Sequence, residues 1–383
     1  MSDLLDFMDL LFQSFVSTLV LPKKPLKTQI IKNDMTNIFR FLTACALLFC
    51  SCRTDEVSPE TPPVYNFDEV DKFVEAHLAD YNDQVIVLVS QNGKLIYKKG
   101  IGLDEHTSKP IASATKWLSA AVILSLVDEG KLTLSDSIGK YLPIFTAHRK
   151  GGITIRQLFA HTAGFGGDSP QKYEYKRLMT LAQAVDSIAV YTPLVASPGT
   201  QFDYGSAGMQ IGGRVAEIVS GKSWQELFDE RIAKPCGMTA EYRSVRNPII
   251  AGGVHTTAAD YLRFLEMLVN RGTYNGNRVL SESAIGTMLS DQTEDAKITG
   301  TPYVTNPFST TPQRPVRYGV GNWLDVVDAD GRVLESSSPG LFGTHPWQDS
   351  KHQIAGIIFT QTTPRQSSMT SLEIRKMIRD IVE

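Results

Sequence analysis

Cysteine is scarce in this chain of 383 residues, and its placement matters more than its number. Three of the four cysteines, Cys45, Cys50 and Cys52, crowd into one N-terminal stretch, and only Cys236 lies in the body. The body therefore forms no internal disulfide in any compartment. The seven histidines are scattered, none at zinc-ligand spacing from a cysteine, so no metal is expected. A marked excess of one charge sign is missing too. A formal net charge of −3 speaks against a polybasic surface for nucleic acid or an anionic membrane. There is no internal repeat. What remains is ordinary globular material, 42% hydrophobic and 21% charged. That suffices for the full core of one large domain or two ordinary ones.

The N-terminus reads as an address. From Met35 the chain runs MTNIFRFLTACALLFCSCRTDE: one arginine, a short apolar run, a serine before Cys52, then polar residues. The run is too short to span a bilayer comfortably and matches a secretory signal. With Cys52 directly after it, the segment resembles a bacterial lipoprotein signal, making Cys52 the lipidated first residue of an exported chain. A plain signal peptide or an uncleaved anchor are the other readings. Residues 1–34 are apolar but carry aspartates, so either translation starts at Met35 or an interfacial helix precedes the signal. Residues 1–52 are set aside from the fold, and the polar, proline-rich residues 53–66 read as a tether.

From residue 67 the pattern becomes regular. Phe67, Val70, Phe73, Val74 and Leu78 have helical spacing. The segment QVIVLVSQNGKLIYKKG is two β-rich runs around Asn92-Gly93, a strong hairpin signal. Residues from about 131 to 310 read as mainly helical, several segments ending at glycine. The C-terminal part returns to strands around Asp330-Gly331, then HQIAGIIFTQ and a closing helix. Strands at both ends around a helical middle imply one sheet completed by both chain ends, with a helical subdomain inserted.

Chemistry enters with Ser-x-x-Lys, which occurs three times: Ser113/Lys116, Ser137/Lys140 and Ser169/Lys172. Only the first opens an almost uniformly apolar helix, ATKWLSAAVILSLVDEG, of the kind buried all round. A lysine one turn into such a helix is costly unless it is used or paired. Ser113 and Lys116 share a helix face. Desolvation and the positive helix end would lower the lysine's proton affinity and make it a base for the serine. The other reading is a serine N-cap, which explains Ser113 but not Lys116.

The segments IASATKW, LSDSIGKYLP, ITIRQLFAHTAGF, PGTQFDYGSAGMQIGGRVAEIVSG, AGGVHTTAADYLRFLEML and YGVGNW together resemble the serine β-lactamase-related family. That family groups class C β-lactamases, D-alanyl-D-alanine peptidases and family VIII-type esterases. The likeness runs over residues 67–383. It implies an α/β (α+β) fold of β-lactamase/transpeptidase type, its antiparallel sheet built from both chain ends and flanked by helices. It implies no cofactor, and a small ester, amide or short peptide as substrate. Ser113 would be the nucleophile, Lys116 its base, and Tyr204 of Tyr204-Gly205-Ser206 a second base. Tyr242-Arg243-Ser244 also fits that pattern, in the wrong context. A free tyrosine titrates near pH 10, so Tyr204 would need Lys116 beside it.

Two departures follow from the resemblance. Ser206 stands where the family has asparagine, a shorter group still able to hydrogen-bond substrate. The family's Lys-Thr-Gly or His-Thr-Gly is absent, and Ser338-Pro339-Gly340 takes its place. Gly340 would let substrate lie along the strand, and the Leu341 N–H would join that of Ser113 as oxyanion donor. The lost cation makes a carboxylate-bearing β-lactam or peptide a poor substrate and favours an ester or uncharged amide. The alternatives are a D-alanyl-D-alanine carboxypeptidase or β-lactamase, and a catalytically silent penicillin-binding module. His161 is expected to be structural, His255 to pack or bond locally, and Cys236 to be a packing residue. His345 and Trp347 are expected at the pocket mouth or in loop packing.

Overall fold

The computed structural model describes residues 64–302 and 316–383. The upstream segment, Cys52 and the tether as far as residue 63 lie outside the described residues. Among those described, no helix is long and apolar enough to cross a membrane.

The helical spacing from Phe67 becomes helix α1, Asp68–Ala76, which buries Val70 and Val74. Strands β1 (Val85–Gln91) and β2 (Lys94–Ile101) form the expected hairpin, with Asn92 and Gly93 both at positive φ in its turn. The C-terminal part supplies β3 (Trp323–Val327), β4 (Val333–Ser337), β5 (His345–Asp349) and β6 (Ile354–Thr360). All are antiparallel in the order β3-β4-β5-β6-β1-β2. The first strand thus pairs with the last, Val85 opposite Thr360 and Gln91 opposite Ile354.

Alternation along β1 divides the core. Ile86 and Leu88 face the helical body, together with Ile357 and Phe359 of β6. Val85, Val87 and Val89 face the other way, onto α1 and the closing helix α6 (Pro364–Val382) through Val70, Val74, Ile374 and Ile378. A sheet covered on both faces needs apolar residues at successive positions, and β1 supplies five buried in a row, Val85 to Val89. Each fully buried aliphatic side chain contributes about 1.5–3 kcal/mol.

The inserted part carries α2 (Thr115–Asp128), α3 (Leu181–Tyr191), α4 (Ala207–Ser220) and α5 (Ala258–Val269) with several shorter helices. It also holds short strands that periodicity does not announce. Lys109–Pro110 pairs with Val254–Thr256, and Gln201–Asp203 runs parallel to Lys297–Gly300. Every residue of α2 from Thr115 to Leu126 is buried, as its composition requires.

One expectation is corrected. His345 and Trp347 lie neither at the pocket mouth nor in a loop, but on β5, buried in the sheet. The His345 ring accepts from Arg375 of α6 at 3.0 Å. The same arginine donates to Asp325 (3.0 Å) and Glu335 (2.8 Å), and Arg379 also reaches Glu335. β5 is paired on both sides, and this polar face is buried because α6 brings two arginines over it.

Candidate active site

Ser113 sits in a 3₁₀ turn, Ala112–Ala114, immediately before α2. Ala112 is left-handed (φ 46°), a costly conformation for a residue with a side chain, and it sets the turn that presents Ser113. Lys116 follows in the first turn of α2, only 2% exposed. Its Nζ lies 3.0 Å from Ser113 Oγ and 3.1 Å from the Ala251 carbonyl oxygen. Burial lowers its pKa to about 7, against an opposing pull from the Asp168 carboxylate. At that value a large share of Lys116 is free base at neutral pH and can accept the serine proton.

The other two Ser-x-x-Lys pairs are spent differently. Lys140 is ion-paired with Asp136. Ser169 is bound to Glu174, and Lys172 to Asp168. Tyr242 is buried in the core with its hydroxyl on Ser119.

Tyr204 reaches the pair from the turn after strand Gln201–Asp203. Its hydroxyl interacts with Ser113, and Lys116 Nζ lies over its ring, 4.5 Å from the centroid. Burial pushes its pKa well up despite the Ser113 contact. Tyr204 therefore stays protonated, and the free base of the site is Lys116. The expectation that Lys116 would let Tyr204 share charge changes accordingly: the cation meets the ring face, not a phenolate. The Tyr204 ring stacks on Trp323 (5.1 Å between centroids, 28°) and packs against His161. His161 itself is buried among Phe202, Tyr204 and Tyr318, and burial holds its pKa far below the usual histidine range. It is an aromatic neighbour in a neutral state.

Ser338-Pro339-Gly340 leaves the end of β4 and passes directly over the nucleophile's turn. Ser338 Oγ donates to the Ser113 carbonyl at 3.3 Å. A Cβ on Gly340 would stand 2.1 Å from the Ile111 oxygen, so this position has no room for a side chain. The Gly340 N–H is committed to Thr344. Among the described residues, Ser113, Tyr204, Trp323, Pro339, Gly340 and Leu341 line one open cavity of about 440 Å³, together with Pro302 and with Arg365 and Ser368 of α6.

Of the expected site residues, Ser113, Lys116 and Tyr204 come together, with Gly340 and Leu341 on the facing wall. Ser206 is not in that lining: it is buried, its N–H donating to Asp168 (2.8 Å) and its hydroxyl bonded to that of Tyr175 (2.9 Å). Four residues went unseen in the sequence: Asp168, Tyr175, Trp323 and Arg365. The last supplies the cavity with a cation from α6 where the strand has none. Cys236 is buried, its thiol pushed up to about 12 by desolvation. His255 lies half-buried on a short strand opposite Pro110 and Glu241. Among the described residues no cluster of His, Cys, Asp or Glu could hold a metal ion.

A family model described as Beta-lactamase matches residues 70–377. The chain belongs to the beta-lactamase family. Its architecture is the mixed α/β fold of that family's serine hydrolases. A Mycobacterium tuberculosis relative, protein Rv1367c, is 29% identical over 317 residues, 68% of this chain and 77% of its own length. A solved Bacteroides dorei protein, described as a candidate beta-lactamase, is 30% identical with a TM-score of 0.74. The match covers 83% of this chain and 99% of that one. EstCE1, a hydrolase with promiscuous acyltransferase activity, shares the fold at 19% identity and a TM-score of 0.65, covering 80% and 96% of the two chains. In this family member Ser113, Lys116 and Tyr204 lie together, and Ser338-Pro339-Gly340 beside them carries no charged side chain.

Proposed function

We propose that this beta-lactamase-family protein is a serine hydrolase acting through an acyl-enzyme on an ester or uncharged amide, with little activity on β-lactams. One observation carries the reading: a buried Lys116, much of it unprotonated at neutral pH, lies 3.0 Å from Ser113 Oγ at the wall of an open cavity. Lys116 takes the hydroxyl proton as Ser113 attacks the substrate carbonyl. The Ser113 and Leu341 N–H groups hold the oxyanion. Tyr204, protonated, donates to the leaving group and is reprotonated from Lys116, and water then releases the acyl group from Ser113. Ser338 stands where the family's cation would meet a substrate carboxylate. The fold's occurrence in a hydrolase such as EstCE1 agrees with this breadth.

Arg365 favours a second reading, a carboxylate-bearing amide of the D-alanyl-D-alanine or β-lactam type, because it supplies a positive charge at the same cavity. Export with a lipid anchor at Cys52 is proposed from the sequence alone; mass spectrometry of the mature N-terminus tests it.

A fluorophosphonate probe should label the protein and fail on Ser113→Ala. Absence of label on both would leave a silent binding module. A short-chain nitrophenyl ester, a chromogenic cephalosporin and a D-Ala-D-Ala peptide, assayed in parallel, rank the substrate classes. Fastest turnover of the cephalosporin would overturn the preference for uncharged substrates.

A further inference from the structure

The loop after the short helix Ile155–Phe159 ends in Gly164-Phe165-Gly166-Gly167-Asp168, which neither the motif nor the mechanism uses. Its backbone lies against the turn that carries Tyr204. A Cβ on Gly205 would fall 2.2 Å from the Gly167 carbonyl carbon, so the two glycines alone allow the approach. Ala207 N–H donates to Gly167 O at 3.2 Å across the same contact.

That approach places Asp168 beside the site. One carboxylate oxygen accepts the Ser206 N–H at 2.8 Å; the other accepts the Tyr175 hydroxyl at 2.9 Å and Lys172 Nζ at 3.1 Å. Its hydrogen bonds hold its pKa below the usual carboxylate value although it is largely buried. An ionised carboxylate only accepts, so Tyr175 donates to it and receives the Ser206 hydroxyl proton in turn (2.9 Å). The result is a directed chain from Ser206 through Tyr175 to Asp168. It accounts for Ser206 turning away from the cavity.

We propose that Asp168 is a positioning residue of the catalytic set: it pins the Tyr204–Ser206 turn against Ser113 and keeps a fixed negative charge opposite Lys116. The proposal rests on the hydrolase reading above. The charged and titratable groups facing the site are Lys116 on α2, Tyr204 and His161 behind it, and Tyr175 and Lys172 around Asp168. Glu174 is turned onto Ser169. Among them Asp168 is the carboxylate that acts on both Lys116 and Tyr204. Lys172, mostly exposed, offsets part of its charge from the solvent side.

The test is a pH profile of kcat/KM for the wild type, Asp168→Asn and Lys172→Met. Asparagine keeps an oxygen for the Ser206 N–H but removes the charge. Lys116 should then lose its proton more easily, and the acid limb should move to lower pH by roughly half a unit or more. Lys172→Met leaves Asp168 uncompensated and should move the limb the other way. Tyr175→Phe keeps the charge and should leave it in place. An acid limb unmoved in Asp168→Asn overturns the proposal while labelling of Ser113 keeps the hydrolase reading intact. If Ser113 is not labelled, that reading falls, and a 13Cε NMR titration of Lys116 in wild type and Asp168→Asn still decides: a lower midpoint in the variant supports the charge role, an equal one overturns it.

Discussion

Lys116 Nζ lies 3.1 Å from the carbonyl oxygen of Ala251 and 3.0 Å from Ser113 Oγ, inside a helix that buries every neighbour. A free amine has two N–H groups and one lone pair. With one N–H on Ala251, the lone pair can be turned to the serine hydroxyl. The Ala251 contact thus orients the amine toward Ser113.

Lys116→Met should abolish turnover, a loss of about 10²–10⁴-fold, yet make the protein more stable. The folded lysine titrates at about 7, below its model-peptide value of 10.5. Between those two values folding expels a proton that the unfolded chain holds, and below about pH 7 the charged amine is buried at full cost. The resulting penalty is full below pH 7 and fades as pH rises toward 10.5. After losing the Ala251 bond, the methionine variant should gain roughly 1–3 kcal/mol at pH 6–7 and less at pH 9. Thermal melting across that range checks the sign. The wild-type kcat/KM should rise through an acid limb near pH 7.

Gly340→Ala should cost about 10²-fold in kcat, because the methyl group meets the Ile111 oxygen and displaces the strand end from the nucleophile's turn. The clash is with backbone, which a rotamer change cannot relieve. Steady-state kinetics on the best ester, beside an unchanged circular dichroism spectrum, would show it.

Arg375→Ala should destabilise the fold by about 3–5 kcal/mol, since Asp325 would be buried without its arginine and Glu335 would keep Arg379 alone. Burial already raises the Asp325 pKa to about 7 against the pull of Arg375. A carboxyl raised in the fold binds a proton that the unfolded chain has released, so its stability term is lost as pH rises. The variant's deficit should be larger at pH 8 than at pH 5, read by urea midpoints.

The Ser113–Lys116 pairing and the double-ended sheet were legible because each follows from composition along a continuous stretch. Lys116 was singled out as a lysine in an apolar helix. That logic is sound but not specific to catalysis. Lys150 is also largely buried and donates at 2.6 Å to the carbonyls of Ala189 and Thr192, where it closes the end of α3. Asp168 and Arg365 could not be read, because their meaning lies in the Tyr204–Ser206 turn and in the cavity wall, which other parts of the chain supply. Ser206 was placed by its neighbour Tyr204; the opposite orientation of its hydroxyl depends on Tyr175, in a single 3₁₀ turn, Tyr173–Tyr175, too short to carry a periodic signal. β5 failed for a related reason: His345-Pro346-Trp347 has no strand pattern until α6 lays Arg375 on it.

The pairing of β1 with β6 has a consequence for how the molecule comes into being. Val85 cannot find its partner until Thr360 has been made, some 275 residues later. The sheet that backs the site has no central seam while the chain is still growing from the ribosome. Ser113 and Lys116 emerge early, but the wall facing them is among the last parts to arrive. A truncation before Ile354 leaves β1 and β5 with open edges, and aggregation is the expected fate of such a fragment.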